Sequence, residues 1–356
     1  MKGSTMQPHH NDDLKLFKRK TINASATSLV KESYFGEDRY PLIIQPNLDG
    51  INLIDWVRDN KLSLLQRLSL SGALLFRGFS LSTTDEFERF NSAISDEVIH
   101  YHESSSPRTQ IDKHVYTSTD YPADKSIFLH NELSYSLTFP QKITFLCTTP
   151  ALTGGETPLA STRNIYNSIP SHIKDRFQHK GWMLIRNFGD GCGLPWQDAF
   201  HTTSKQEVEA YCQKNMIACE WKDGDRLRTR QVRPALARHP RTQEILWFNH
   251  LTFFHVSTRE KEIQETLLRQ FREEDLPTNT YYGDGSAIEP AFLDELRAIY
   301  ERETKAFLWQ ENDILLLDNM LVAHGRAPFS GPRKVVVGMA DPLHWNNAAF
   351  PENFSW

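Results

Sequence analysis

Cysteine is scarce in this sequence, and its spacing does not suggest cross-linking. Four cysteines occur in 356 residues, and no two of them form a Cys-x-x-Cys pair. This spacing excludes the disulfide framework of a small secreted domain and the ligand pattern of a zinc ribbon. Reduced thiols in a cytoplasmic protein are therefore expected.

Long apolar runs and an excess of basic residues are also missing. No stretch of about 18 apolar residues occurs, so no membrane partner is expected. The polar start of the chain lacks the apolar segment of a secretory signal, which again predicts a cytoplasmic location. The net charge of -5 argues against a nucleic-acid partner. Neither Gly-x-Gly-x-x-Gly nor a P-loop motif is present to hold a nucleotide.

The patterns that are present predict one mixed domain. Residues 1–22 are polar and of mixed charge, which predicts a flexible tail, and 23–356 are expected to form a single domain. The predicted strands cover 72–79, 141–150, 153–161, 244–255, 313–318 and 334–341, and the predicted helices cover 52–68, 258–274 and 290–304. Further helices are expected to begin near Thr83, Ser171 and Ser204. Glu86 would complete a capping box with Thr83, and Glu207 would complete one with Ser204. We therefore expect an α+β fold with a mainly β, antiparallel core and a helical insertion at about 162–310.

The segment SIFLHNELSY at 126–135 introduces charge into an apolar run. In an extended strand His130 and Glu132 project from the same face, because residues i and i+2 share a face. His324 is the best candidate for a third ligand, since it lies between the two C-terminal strands and before Gly325, where the backbone can turn. Two histidines and one carboxylate fill one face of an octahedron and suit non-haem Fe(II). They also suit catalytic zinc, although the helical His-Glu-x-x-His spacing is absent.

Two further residues indicate a bound keto acid. Thr157 follows the Gly154–Gly155 turn, and Arg333 stands at the entry to the last predicted strand. A guanidinium binds a carboxylate through two hydrogen bonds, and a threonine hydroxyl can add a third. Together they would hold the distal carboxylate of a keto acid whose other end chelates the metal.

These motifs resemble one known family. HNE at 130–132, GGET at 154–157 and DNMLVAHGRAPFSGPR at 318–333 are similar to the Fe(II)/2-oxoglutarate-dependent dioxygenases of the taurine dioxygenase (TauD/TfdA) type. ALLFRGF at 73–79 also resembles their N-terminal strand, so the resemblance covers most of the chain. WFNH at 247–250, together with the His-x-Glu triad, is most similar to the SyrP-like branch of natural-product biosynthesis. Asp is the commoner carboxylate in the wider family, and Glu132 matches the branches that hydroxylate amino acids.

The resemblance implies a fold, cofactors and a reaction. The fold would be a double-stranded β-helix, or jelly roll, with helical insertions. His130, Glu132 and His324 would bind Fe(II), Thr157 and Arg333 would bind the C5 carboxylate of 2-oxoglutarate, and O2 would be the oxidant. The reaction would remove hydrogen from an sp3 carbon and usually return hydroxyl. Related halogenases lack the carboxylate ligand, so the presence of Glu132 argues against halogenation.

The substrate expected from the resemblance is an amino acid. Relatives that act on taurine or free amino acids carry a second arginine four residues after the 2-oxoglutarate arginine, and that position is Val337 here. A thioester on a peptidyl carrier protein has no free carboxylate to hold, which agrees with Val337. Arg326 is an alternative anion contact. The other predicted substrate contacts are Ser134, Tyr135, Asn249 and Arg230, the last from an arginine-rich stretch at 225–241.

Three other functions remain open from the sequence. The same iron site would serve a desaturase or cyclase, because the outcome after hydrogen removal depends on substrate placement of about an ångström. A non-catalytic jelly-roll binding protein would carry a defective ligand set, whereas all five predicted residues are intact. A zinc hydrolase would give no role to Thr157 and Arg333.

Overall fold

The computed structural model describes residues 29–35, 40–99, 110–112, 115–117, 121–352 and 354. The predicted tail at 1–22 lies outside these residues. All four cysteines are free thiols, and within the described ranges no helix is both long and apolar enough to cross a bilayer.

The strands are β1 Val30–Tyr34, β2 Leu42–Pro46, β3 Ala73–Phe76, β4 Gln110–Asp112, β5 Val115–Thr117, β6 Ile127–His130, β7 Thr138–Thr149, β8 Thr153–Gly154, β9 Leu159–Ser161, β10 Trp182–Phe188, β11 Ala218–Trp221, β12 Leu227–Arg233, β13 Leu236–Arg238, β14 Ile245–Trp247, β15 Thr278–Tyr282, β16 Ile314–Asp318, β17 Val322–Arg326, β18 Phe329–Ser330, β19 Lys334–His344 and β20 Ala349–Phe350. The helices are α1 Leu53–Ser71, α2 Thr84–Ile94, α3 Thr162–Ser168, α4 Ser171–Lys180, α5 Trp196–Phe200, α6 Lys205–Lys214, α7 Leu251–Phe254, α8 Lys261–Gln270 and α9 Pro290–Glu303.

The core is the predicted antiparallel β structure. An eight-stranded sheet has the order β1-β2-β3-β16-β7-β19-β5-β4, with only β2 and β3 parallel. A three-stranded sheet, β6-β17-β9, and the pair β18-β8 form the second layer. In the large sheet β3 and β7 pair with β16, and in the small sheet β6 pairs with β17. The strands near the C-terminal end of the chain therefore complete both layers of the core. This arrangement confirms the expected mainly β core of a jelly-roll fold.

Local caps explain where the first two helices begin and end. Asn52 accepts hydrogen bonds from the N–H groups of Ile54 and Asp55, which starts α1. Gly72 ends it with φ of 75°, a left-handed conformation that favours glycine. The predicted capping box at Thr83 and Glu86 starts α2.

The segment 244–255 differs from the sequence prediction of an extended strand. Only Ile245–Trp247 is a strand, and a short helix, Leu251–Phe254, follows it. Asn249 explains the change, because its side-chain oxygen accepts the N–H of Leu251 and redirects the backbone. Phe253 of this helix packs against the His130 ring, with centroids 4.9 Å apart.

Two further expectations need correction. Ser204 caps α6, but Glu207 bonds the hydroxyl of Thr202 rather than closing a capping box. The segment 162–310 carries helices and also a four-stranded sheet of order β11-β12-β10-β15. In β12 the face that carries Leu227, Thr229, Gln231 and Arg233 is buried, and the arginines in this stretch concealed that burial in the sequence.

Candidate active site

Two paired strands bring the predicted histidines together. His130 is the last residue of β6, and its Cα partner across the ladder is His324 of β17. The ring centroids lie 4.6 Å apart. The sequence placed His324 in a connection between strands, and this was wrong, because it lies inside β17. Gly325 does not turn the chain there; a Cβ at this position would meet the carbonyl oxygen of Ile127 at 2.5 Å, so glycine permits close strand approach.

The carboxylate reaches the histidines by a different route from the predicted one. β6 ends at His130, and Glu132 lies in the turn that follows, with φ of 54° at Leu133. The same-face argument for an extended strand was therefore wrong. The Oε2 atom of Glu132 nevertheless lies 3.7 Å from Nε2 of His130 and 3.8 Å from Nε2 of His324. All three side chains are buried.

This donor set fits one divalent ion. The three ligand atoms lie within 4.8 Å of one another. Ligands on one octahedral face, each about 2.1 Å from the ion, lie about 3.0 Å apart, so the carboxylate–imidazole distances of 3.7 and 3.8 Å need to shorten by less than about 1 Å when an ion binds. Nδ1 of His130 is 2.9 Å from the carbonyl oxygen of Phe128. A carbonyl can only accept, so Nδ1 carries the proton and Nε2 keeps its lone pair for a metal.

Thr157 and Arg333 border the same cavity as the triad. The indole N–H of Trp309 donates to Oγ1 of Thr157 at 3.1 Å. The hydroxyl hydrogen of Thr157 is therefore left to donate to a ligand. Trp309 was not predicted, and its sequence surroundings give no signal for this contact.

The cavity has two guanidinium groups at its edge. Nε of Arg333 donates to the carbonyl oxygen of Gly155 at 2.9 Å, and Arg326 donates through its terminal nitrogens to the carbonyls of Tyr121, Pro122 and Lys125. Burial, followed by the charge of Arg326, lowers the pKa of Arg333 to about 10. Burial also lowers the pKa of Arg326.

Carboxylate partners for these two cations are missing within the described residues. Within these residues Glu156 acts on Arg333 through its charge and not through an ion pair, and Nε of Arg326 is buried without a hydrogen-bond acceptor. A buried cation that lacks a counter-ion is costly. The cavity therefore favours an anionic, oxygen-rich ligand beside the triad.

Three other predicted contacts, Ser134, Tyr135 and Asn249, do not border the cavity. Ser134 is buried with its Oγ atom 2.7 Å from Nδ1 of His250, and Tyr135 packs edge-on against the His250 ring. Asn249 bonds the backbone of Ala235 as well as α7. These side chains support the layer behind His130, whose ring lies 5.0 Å from that of His250.

Arg230 is also away from the cavity. It lies on β12 and forms an ion pair with Glu220 at 3.0 Å. The neighbouring Arg228 and Arg233 are buried and bond Asn187 and the carbonyl of Tyr135, respectively. The arginine-rich stretch thus serves the inserted sheet, which its alternating pattern did not reveal.

Comparison with protein families agrees with the site geometry. Residues 38–339 match the family described as taurine catabolism dioxygenase TauD, TfdA family. This range includes all three candidate metal ligands, Thr157 and Arg333.

Two curated relatives match over most of their length. The dapdiamide synthesis protein DdaC of Enterobacter agglomerans is 42% identical over 277 residues, which cover 78% of this chain and 84% of DdaC. A clavaminate synthase-like protein of Arabidopsis thaliana is 26% identical over 332 residues, 88% of this chain and 97% of that protein.

Among solved structures, PvcB from Pseudomonas aeruginosa has a similar fold. It superposes with a TM-score of 0.53 at 16% identity, covering 93% of this chain and 97% of PvcB. A second PvcB structure, described as an iron and α-ketoglutarate dependent oxygenase from an isonitrile synthetic pathway, gives 0.51 at 16% identity. At this identity the similarity concerns the fold.

Proposed function

The chain belongs to the TauD/TfdA family and is a 2-oxoglutarate-dependent, non-haem iron dioxygenase; we propose that it hydroxylates an sp3 carbon of an amino acid in natural-product biosynthesis. The relative DdaC, named for dapdiamide synthesis, supports a biosynthetic role. We further propose that the amino acid is tethered to a peptidyl carrier protein.

In this proposal His130, Glu132 and His324 hold Fe(II). The bound iron would supply the oxidising chemistry that activates O2 at the positions the triad leaves open. The protein's own contribution is to fix the ligands and to keep the site buried. Phe145 packs edge-on against the His324 ring, with centroids 5.2 Å apart, and so restricts water on that side.

The observation that carries the proposal is the pair of guanidinium groups beside the triad, of which Arg326 is buried and Arg333 is half-buried. Arg333, together with the Thr157 hydroxyl, suits the C5 carboxylate of 2-oxoglutarate, because a guanidinium and a hydroxyl can donate three hydrogen bonds to one carboxylate. The opposite end of 2-oxoglutarate would then face the metal. A zinc hydrolase would have no use for this anion site.

The part of the cavity next to Val337 favours a substrate that presents an uncharged group there. Val337 is four residues after Arg333, borders the cavity and cannot bind an acid. Backbone carbonyls accept three of the five N–H groups of Arg326, which leaves Nε–H and one N–H of Nη1 to donate. These donors suit a carbonyl oxygen such as that of a thioester, and the apolar Val337 offers no partner for a free carboxylate.

Anaerobic titration with Fe(II) and 2-oxoglutarate tests the cofactor assignment. A weak metal-to-ligand charge-transfer band in the visible region is expected for the wild type. The band should disappear in His130→Ala and persist in Arg230→Gln, which changes an arginine outside the cavity. Absence of the band in the wild type would overturn the proposed iron and 2-oxoglutarate site.

Mass spectrometry on free and carrier-loaded amino acids tests the substrate. A gain of one oxygen on the carrier-loaded form is expected. Equal or faster turnover of a free amino acid would overturn tethering, and loss of two hydrogens would replace hydroxylation with desaturation.

A further inference from the structure

We propose that Asn319 is a positioning residue that sets the affinity for the metal by holding Glu132 in place; this rests on the proposed metal site. Asn319 touches none of the three ligand side-chain atoms. It acts on the backbone that carries the carboxylate.

The need for such a residue follows from where β6 ends. His130 is fixed by pairing with β17, in which it lies opposite His324. Glu132 lies beyond the end of this strand, in the turn that follows. The orientation of its carboxylate therefore depends on the groups that hold the turn, and metal affinity depends on the groups that orient the ligands.

The side-chain amide of Asn319 substitutes for the missing strand. Its Oδ1 atom accepts the N–H of Glu132 at 2.8 Å, and its Nδ2 atom donates to the carbonyl of Glu132 at 2.9 Å. Nδ2 also donates to the carbonyl of Pro140 at 2.8 Å. The amide thus pairs with both polar groups of one residue, as a neighbouring strand would.

A hydrogen bond between Asn131 and Asn319 completes a clamp that these two residues form around Glu132. Nδ2 of Asn131 donates to the carbonyl oxygen of Asn319 at 2.6 Å. Asn131 and Asn319 are both 0% exposed, so no water competes for these bonds. His324 follows Asn319 by one turn and the start of β17, and the clamp therefore ties the segment carrying one ligand to the segment carrying the other two.

The turn that carries Asn319 is itself held in place by Asp318 and His239. The carboxylate of Asp318 accepts the N–H groups of Met320 and Leu321 through Oδ1, and its Oδ2 atom lies 3.0 Å from Nε2 of His239. Nδ1 of His239 accepts backbone N–H groups, so Nε2 carries the proton and donates to Asp318. This buried pair fixes the turn from which Asn319 projects.

The inserted sheet offers a matched control. Asn187 is also buried, and its amide makes three hydrogen bonds, accepting from Arg228 and donating to the carbonyls of Glu274 and Leu276. Asn187→Ala and Asn319→Ala therefore remove the same number of side-chain hydrogen bonds. Only the second change affects the backbone of a metal ligand.

The test measures metal affinity and stability separately. Dissociation constants for Fe(II) in the presence of 2-oxoglutarate are determined anaerobically by the charge-transfer band, and urea midpoints are determined for the metal-free proteins. Asn319→Ala should weaken Fe(II) binding roughly ten- to hundredfold. Asn187→Ala should lower the metal-free urea midpoint comparably, with Fe(II) affinity within about twofold of the wild type.

Asn131→Ala keeps the experiment decisive if Asn319→Ala does not fold. It removes one bond of the clamp and leaves Asn319 in place, and it should weaken Fe(II) binding severalfold. If a folded Asn319→Ala, or Asn131→Ala in its place, binds Fe(II) as Asn187→Ala does, the clamp is wrong. A wild type without the band would instead contradict the iron site itself.

Discussion

At the residue scale, the chemistry of the cavity depends on Arg333. Its planar guanidinium can donate two parallel hydrogen bonds to a carboxylate, whereas a lysine ammonium acts as a point charge. The backbone bond to Gly155 fixes the orientation of the group. The identity of this cation, and not only its charge, should therefore matter.

Arg333→Lys should raise the KM for 2-oxoglutarate roughly ten- to hundredfold, because one charge-assisted hydrogen bond contributes about 1.5–3 kcal/mol. The kcat at saturating 2-oxoglutarate should change much less. Steady-state kinetics with varied 2-oxoglutarate measures both values. Arg230→Lys is the control and should leave both unchanged; an unaltered KM in Arg333→Lys would contradict the assignment.

The sequence allows the candidate metal ligands to be predicted, but not the residues that hold those ligands in position. His130, Glu132 and His324 were predicted from residue type and spacing, and the structure brings them together. Trp309 acts through one hydrogen bond to Thr157, and Asn319 acts through several to Glu132 and Pro140; all of these partners lie far along the chain. Such contacts depend on tertiary packing, which residue type alone does not encode.

At the element scale, the metal site depends on how closely β6 and β17 approach. Gly325 is the contact point, since a side chain there would press on the carbonyl oxygen of Ile127. Its φ is outside the left-handed range found for other glycines of this chain. Its role is therefore close packing.

Gly325→Ala should separate the two strands and displace His324 from His130. The unfolding free energy should fall by about 1–3 kcal/mol, as overpacking does elsewhere, and Fe(II) binding should weaken by more than tenfold. Urea unfolding and the charge-transfer titration measure these effects. Gly285→Ala, where a Cβ meets open space, should lower stability through its backbone conformation and leave Fe(II) binding intact.

Element boundaries were predictable where the signal was local. The cap at Thr83 and Glu86 involves neighbouring residues and was confirmed. The end of β6 at His130 and the helix at Leu251–Phe254 were not predicted, because the first depends on the Asn319 clamp and the second on a buried Asn249. Apolar runs of this length do not distinguish strand from helix.

At the scale of the whole molecule, the site lies between two β layers. Val335 and Val337 of the large sheet and His130 and His324 of the small sheet border the same cavity. Ligands that bind there contact both layers, so they stabilise the folded chain as a unit. The antiparallel layers were predictable from strand patterns, whereas the sheet inserted at 182–282 was not.

Binding of Mn(II) together with 2-oxoglutarate should therefore raise the melting temperature of the entire domain. Ligand at 100 times its dissociation constant contributes about 2.7 kcal/mol to the unfolding free energy. Calorimetry with and without both ligands measures the shift. Glu132→Ala should abolish it, and a retained shift would show that the ions bind elsewhere.

The pairing of β6 with β17 also dictates when the site can form. Two candidate ligands precede Leu133, and the third is reached only at position 324, after the whole inserted segment. A chain still emerging from the ribosome therefore cannot assemble the triad until β17 has been made and docked. Contacts so distant in sequence are slow to form. Iron loading should consequently be a late event in folding, and metal binding should report that β6 and β17 have docked.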